Sequence, residues 1–182
     1  MEPMTDLSFR PATADDSEAL VALVNSAYRG DASRAGWTTE ADLITGARID
    51  GAELRRLMAA EASMILLCLQ GEDIIGSVHL KRLDPSSAYL GLFVVQPTLQ
   101  GGGVGRRFLA EAEATAQRAW GSARMTMSVI TLRPELIAYY ERRGYRRTGE
   151  LHPFPSEAGA SRPVVADLQL ETLAKDLGTP GT

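Results

Sequence analysis

The chain holds one cysteine, carries no excess of basic charge and has no long hydrophobic run. A lone Cys68 excludes a disulfide framework within the chain and suits a reducing, cytoplasmic setting. It lies in the apolar stretch MILLCL, where nothing local would lower its pKa, so it reads as a buried core thiol rather than a nucleophile. With 19 Lys and Arg against 23 Asp and Glu, the net charge is -4, and no broad basic surface argues for nucleic acid. No apolar run approaches the ~20 residues that span a bilayer, and MEPMTDLSF lacks the basic and apolar regions of a signal peptide, so no membrane is expected. No metal is expected either. What is present is 182 residues, 45% of them apolar, enough for a real core. One domain is expected over 6–176, with a frayed tail over 177–182.

The most informative stretch is LGLFVVQPTLQGGGVG, Leu90 to Gly105. Leu90 to Val95 reads as a buried strand, and Pro97 ends it because proline cannot donate to a sheet ladder. Glycines and then a helical pattern follow. The first N–H groups of a helix have no internal partner, and the helix dipole adds positive charge there, so this turn suits phosphate. A Walker loop would need lysine after its last glycine, where Arg106 stands. A G-x-G-x-x-G fingerprint fails in both registers, at Arg106 and at Phe108. The pattern that fits is Q-x-x-G-x-G, as Gln100, Gly103 and Gly105.

In chain order, Leu7 to Arg10 is a strand, and Thr13 with Asp16 starts a helix over 14–28. Tyr28 to Arg48 is a long, glycine-punctuated connection with Trp37 and a short helical patch at Glu40 to Ile44; such connections carry binding roles or tuck an aromatic into the core. Asp50 and Glu53 mark the next helix start. Strands are expected over Met64–Leu69, Ile74–Leu83 and Ala88–Val95, then a helix over Val104–Trp120 stopped by Gly121. That helix should bury Val104, Phe108, Leu109, Ala112, Ala116 and Ala119. Ala123 to Thr131 alternates as a strand, in parallel crossover to the one before. Pro134 and Gly144 bracket a helix over Glu135–Arg143. Tyr145 to Gly149 starts a strand, Leu151 to Arg162 is a proline-bearing loop, and Val164 to Leu170 is the last strand. The order β-α-α-β-β-β-α-β-α-β-β gives an α/β fold with a mixed, mostly antiparallel sheet flanked by helices.

The glycine loop resembles the acyl-CoA pyrophosphate loop of the GNAT N-acetyltransferase superfamily. Leu136 to Tyr145, LIAYYERRGY, is similar to that family's A-x-x-x-Y-x-x-x-G-F/Y segment, with Tyr140, Gly144 and Tyr145 in place and Leu136 where alanine is usual. The resemblance spans nearly the whole chain. It implies transfer of an acetyl group from acetyl-CoA, as co-substrate, to a primary amine of a small molecule or peptide, at splayed central strands. It implies pantetheine and carbonyl binding by the backbone of Phe93, Val94 and Val95. The pyrophosphate would lie on the amides of Gln100, Gly101, Gly102, Gly103, Val104, Gly105 and Arg106. Tyr140 would be the general acid, since a phenol with a pKa of about 10 stays protonated at neutral pH. Tyr28, Trp37 and Glu40 are candidates for the acceptor side, and a homodimer is compatible with the resemblance.

Two departures stand out. Many members carry a glutamate base on the central strand, where this chain has Tyr89; His79, Glu40 or a water chain could serve. The asparagine near the start of the tyrosine helix is replaced by Arg133, which could touch CoA phosphate or lie in solvent. The other reading of the chain is an acyl-CoA sensor of the same fold that has lost catalysis. The short cluster ERRGYRR reads as a solvated helix terminus.

Overall fold

A computed structural model describes residues 7–28, 44–45, 50–96, 103–153, 162–163 and 169–178. Its centre is a seven-stranded sheet in the order β1-β3-β4-β5-β6-β9-β7. These strands are β1 (Leu7–Pro11), β3 (Ser63–Gln70), β4 (Asp73–Arg82), β5 (Ser87–Val95), β6 (Arg124–Ile130), β9 (Gln169–Asp176) and β7 (Arg146–Pro153). Only the β5–β6 pair is parallel; the other five described pairings in this sheet are antiparallel. A second, two-stranded sheet joins β2 (Ile44–Thr45) to β8 (Arg162–Pro163).

Two helices cover each core. Against one sheet face lie α1 (Ser17–Tyr28) and α2 (Gly51–Ala59), with Leu20, Val24 and Leu54 packed on Ile65, Leu67, Leu69, Leu92 and Val94. Against the other lie α3 (Val104–Trp120) and α4 (Pro134–Glu141). There Phe108 is fully buried, with its ring 5.9 Å from Phe9 and 5.5 Å from Phe93. Cys68 is buried in this second core, and desolvation pushes its thiol up to about 11, which makes it inert.

Local chemistry sets the helix starts. Asp16 accepts from the Thr13 backbone N–H at 2.8 Å and is clamped by Arg10 at 2.9 Å, which opens a 3-10 turn over Ala14–Asp16 ahead of α1. The Asp50 carboxylate takes the Glu53 N–H at 2.8 Å. Gly121 closes α3 in a left-handed conformation, φ 66.

Four expectations need correction. Ala119 is exposed rather than buried, because it faces away from the sheet near the end of α3. Ile44 begins strand β2 instead of ending a helical patch, and 40–43 lie outside the described residues. Strand β7 runs on through Pro153, which an edge strand tolerates because one of its sides makes no ladder bonds. The last strand is Gln169–Asp176, not Val164–Leu170. It is tied down beyond its end, since Leu177 donates to Ala123 O at 2.8 Å and accepts from Gln117 Nε2 at 2.9 Å.

Candidate active site

The site begins where β5 and β6 separate. Their ladder covers only Ser87↔Arg124, Ala88↔Met125 and Tyr89↔Thr126. Beyond Tyr89 the two strands are no longer paired with each other, while β6 stays paired to β9 as far as Ile130. On its other side β5 carries a bulge: His79 pairs with Gly91 and Ser77 with Val94, and Leu92 takes φ 51. A leucine in this region is strained by about 1–3 kcal/mol. The bulge turns Leu92 into the α1–α2 core and lets Phe93 and Val95 pack on the α3–α4 side. Thus the strand that should meet a thioester is both bulged and parted from its neighbour.

The end of β5 faces the start of α3. Gly103 caps that helix with φ 84, a conformation that strains any L side chain, and among the described residues nothing lies within 4 Å of where its Cβ would stand. A Cβ on Gly105 would sit 2.8 Å from the Tyr139 hydroxyl and 3.9 Å from Val95 Cγ2. So β5, the first turn of α3 and α4 converge at Val95, Gly105 and Tyr139. The open space at Gly103, together with the unpartnered amides of a helix start, fits a phosphate-bearing ligand.

Helix α4 brings up the tyrosines. Pro134 fits its first position, and Gly144, with φ 98, turns the chain out after its end. Tyr140 is 5% exposed. Its ring meets Phe93 edge-on at 6.4 Å and Tyr145 at 5.9 Å, and lies 5.4 Å from Tyr139. Tyr145 is fixed in turn: its hydroxyl donates to Glu113 Oε2 at 2.7 Å, while Lys175 Nζ donates to Glu113 Oε1 at 2.9 Å. Burial first, and Glu113 second, hold the Tyr145 phenol far above its ordinary value, so it stays a donor. Glu113 and Lys175 were invisible in the sequence. The one hint was a tyrosine at 145, whose hydroxyl needs a partner when buried.

His79 lies on the opposite face of β4–β5, across the ladder from Gly91 and 6.5 Å from the Tyr89 ring. The Ser63 hydroxyl donates its single proton to Leu57 O at 2.6 Å, so His79 Nε2 is the donor in the 2.8 Å contact with Ser63 Oγ. Nδ1 is then the acceptor of a neutral ring. Desolvation, aided by Lys81, lowers the imidazole from 6.5 to about 4. Between those values the unfolded chain binds a proton that the folded chain refuses. His79 therefore supports folding fully above pH 6.5 and loses that support as pH falls toward 4. Unfolding midpoints should fall with acidification from pH 6.5 to about 5, and His79→Gln should flatten that slope. An unchanged slope in the variant would assign the dependence to another group.

Of the residues singled out in the sequence, Phe93, Val94, Val95, Gly103, Val104, Gly105, Arg106 and Tyr140 gather around the parted strands and the α3 start. Gln100, Gly101, Gly102, Trp37 and Glu40 lie outside the described residues, and Tyr28 is described in its backbone, as the last residue of α1. Arg133 is 4% exposed and donates from Nε to Glu135 Oε1 at 2.9 Å, so it does not lie in solvent. Among the described residues no group of three or more His, Cys, Asp or Glu could hold a metal ion, and no helix is long and apolar enough to cross a membrane.

The family profile described as the acetyltransferase (GNAT) domain matches residues 39–153, which include β5, α3 and α4. The chain belongs to the GNAT acetyltransferase family. It is accordingly an acyltransferase, and solved structures share its fold. A ribosomal-protein alanine N-acetyltransferase from Escherichia coli has a TM-score of 0.69 at 14% identity, over 97% of each chain. A spermidine N-acetyltransferase from Vibrio cholerae, solved with CoA and spermine, has a TM-score of 0.65 at 17% identity, over 94% of this chain and 95% of that one. A GNAT-family acetyltransferase from Staphylococcus aureus has a TM-score of 0.66 at 15% identity, over 95% of this chain and 100% of the other. No curated protein matches the sequence.

Proposed function

We propose that this GNAT acetyltransferase moves an acetyl group from acetyl-CoA to a primary amine of a small molecule or peptide in the cytoplasm. The observation that carries the reading is the parting of β5 from β6 beyond Tyr89, with the α3 start and Tyr140 on one side of the gap. In this reading the backbone of Phe93 to Val95 holds the pantetheine arm and aims an N–H at the thioester oxygen, where charge develops during attack. The amides from Gln100 to Arg106 hold the pyrophosphate. Tyr140 gives its phenolic proton to the departing sulfur. Tyr28, Trp37 and Glu40 stand on the acceptor side. The β2–β8 ladder ties Ile44–Thr45, after α1, to Arg162–Pro163, between β7 and β9.

The alternative is an acyl-CoA sensor without turnover. The aromatic packing retained around Tyr140 favours the enzyme. Two measurements test the proposal together. Acetyl-CoA at one hundred times its dissociation constant should stabilise the fold by about 2.7 kcal/mol. A panel of amines should then release free CoA thiol with steady turnover. Stabilisation without release from any amine would select the sensor, and no stabilisation would remove both readings.

A further inference from the structure

The sheet face turned toward α1 and α2 carries a row of polar side chains that the proposed acetyl-CoA contacts leave unused. His79 lies between Val78 and Leu80, Tyr89 between Ala88 and Leu90, and Ser128 between Met127 and Val129, and all of these flanking residues are buried in the α3–α4 core. Strand alternation therefore turns His79, Tyr89 and Ser128 to the opposite face. Thr172, beside Leu173 of that same core, turns the same way. The pairing registers set these residues level with one another. His79 stands opposite Gly91, and a Cβ on Gly91 would be 2.7 Å from Tyr89 Cε1 and 3.2 Å from the Tyr89 hydroxyl, so the Tyr89 ring leans forward over Gly91. Gly91 and Ser128 each lie two residues past the last β5–β6 pair, Tyr89↔Thr126. The Tyr89 phenol and Ser128 thus meet the gap at one height from its two sides. Ser128 pairs in turn with Thr172, whose Oγ1 lies 2.7 Å from His152 Nε2. The row crosses β4, β5, β6, β9 and β7 at the mouth of the proposed transfer gap.

Its chemistry is uniform: hydroxyls and imidazoles, with no carboxylate in the row. On β9 the carboxylates of Glu171 and Asp176 are taken by Arg147 and Arg146. Lys81, two positions from His79 on β4, adds positive charge nearby and helps to keep that ring neutral. Tyr89, Ser128 and Thr172 are half-buried, so a molecule settling on them displaces their remaining water. A hydroxyl offers one donor and two acceptors, and Thr172 spends one of these on His152. A second cation on the acceptor meets no counter-charge in this row. An apolar substituent covers the hydroxyls without pairing them, which is the costly case for a polar site. A substituent that itself carries hydroxyls can both donate to the row and accept from it.

We propose that Tyr89, Ser128 and Thr172 bind the acceptor, and that the acceptor is a small primary amine bearing hydroxyl groups. This rests on the reading of the β5–β6 gap as the site of acetyl transfer. Thiol release from acetyl-CoA by the whole protein, compared on three amines, tests it. Serinol carries two hydroxymethyl arms, 3-aminopentane has methyl groups in place of those hydroxyls, and spermidine is a polycation. The native chain should use serinol with a kcat/KM about tenfold or more above that of either other amine. Thr172→Val keeps the side chain's shape and should raise KM for serinol about tenfold. It should leave kcat, the use of 3-aminopentane and the affinity for acetyl-CoA in calorimetry unchanged. Thr172→Ser should restore most of the native KM, and Ser128→Ala should act as Thr172→Val does. Equal use of serinol and 3-aminopentane would overturn the proposal, as would a preference for spermidine, or thiol release from none of the three while acetyl-CoA still binds. Variants that weaken all three amines alike would also overturn it, because that marks a structural role. Failure of the native chain to bind acetyl-CoA would instead remove the transfer site on which the proposal rests.

Discussion

Tyr140→Phe should lower turnover on the order of 10²- to 10⁴-fold while acetyl-CoA affinity barely moves. The ring is what packs: it meets Phe93 and Tyr145 edge-on and is 5% exposed, and phenylalanine keeps all of that. The hydroxyl alone is removed. In the proposed acid role its value lies in the transition state, where a thiolate is forming, so the loss should appear in kcat rather than in binding. Tyr139→Phe is the informative neighbour. Its hydroxyl overhangs Gly105 rather than the ring of Phe93, so turnover should stay near normal. Single-turnover measurement of thiol release separates chemistry from product release. Near-normal chemistry in Tyr140→Phe would return the residue to a packing role and hand the proton to water or another group. Tyr145→Phe should fall between the two. It breaks the bond to Glu113, loosens the ring that Tyr140 leans on, and leaves the Glu113 carboxylate with Lys175 alone.

Much of this site was legible because its signals are local. Helix α3 runs over Val104–Trp120 as its bracketing glycines imply, since both adopt left-handed backbone that other residues resist. Helix α4 starts at Pro134 for the same kind of reason. The parting of β5 and β6 was expected from family resemblance and not from residue pattern; the bulge at Leu92 was not expected at all. A leucine at φ 51 has no sequence signature, because tertiary packing imposes it. The last strand is Gln169–Asp176 rather than Val164–Leu170, and it carries a charge at its middle. Glu171 looks like a strand boundary, yet it is 3% exposed in the middle of β9. Arg147, 24 positions earlier, donates to it from Nε at 2.9 Å and from Nη2 at 2.6 Å, and the Gly149 N–H reaches its other oxygen at 3.3 Å. That compensation comes from the edge strand β7, so no window around residue 171 could announce it. The place of Tyr139 is equally hard to read from a local window. Its angular position on α4 is readable, but the proximity of Gly105 depends on how α3 and α4 pack on one sheet face.

Gly105→Val should weaken acetyl-CoA binding on the order of 100-fold, about 2.7 kcal/mol, with the fold retained. A Cβ there would stand 2.8 Å from the Tyr139 hydroxyl, closer than two such atoms approach, and the added methyl groups would crowd Val95 as well. The yielding atom is the tip of a side chain rather than backbone, so the core does not open. Yet Tyr139 is not free to swing, because Arg143 covers its ring at 3.9 Å. The strain therefore falls on the junction of β5, α3 and α4, beside the proposed pyrophosphate site. Gly103→Ala behaves differently: no atom of the described residues opposes its methyl, but the left-handed backbone costs about 1–2 kcal/mol of stability. Thermal melts with and without acetyl-CoA distinguish the two, the first variant losing the ligand-induced shift and the second lowering the unliganded midpoint. A second change locates the cause. The ring carbon next to the hydroxyl is 3.9 Å from the added Cβ, an ordinary contact. Gly105→Ala in a Tyr139→Phe background should thus bind better than Gly105→Ala alone, with a coupling that marks the two residues as neighbours. If removing the hydroxyl rescues nothing, then the glycine is required by the ligand's own approach to the backbone, and Tyr139 is a bystander to binding.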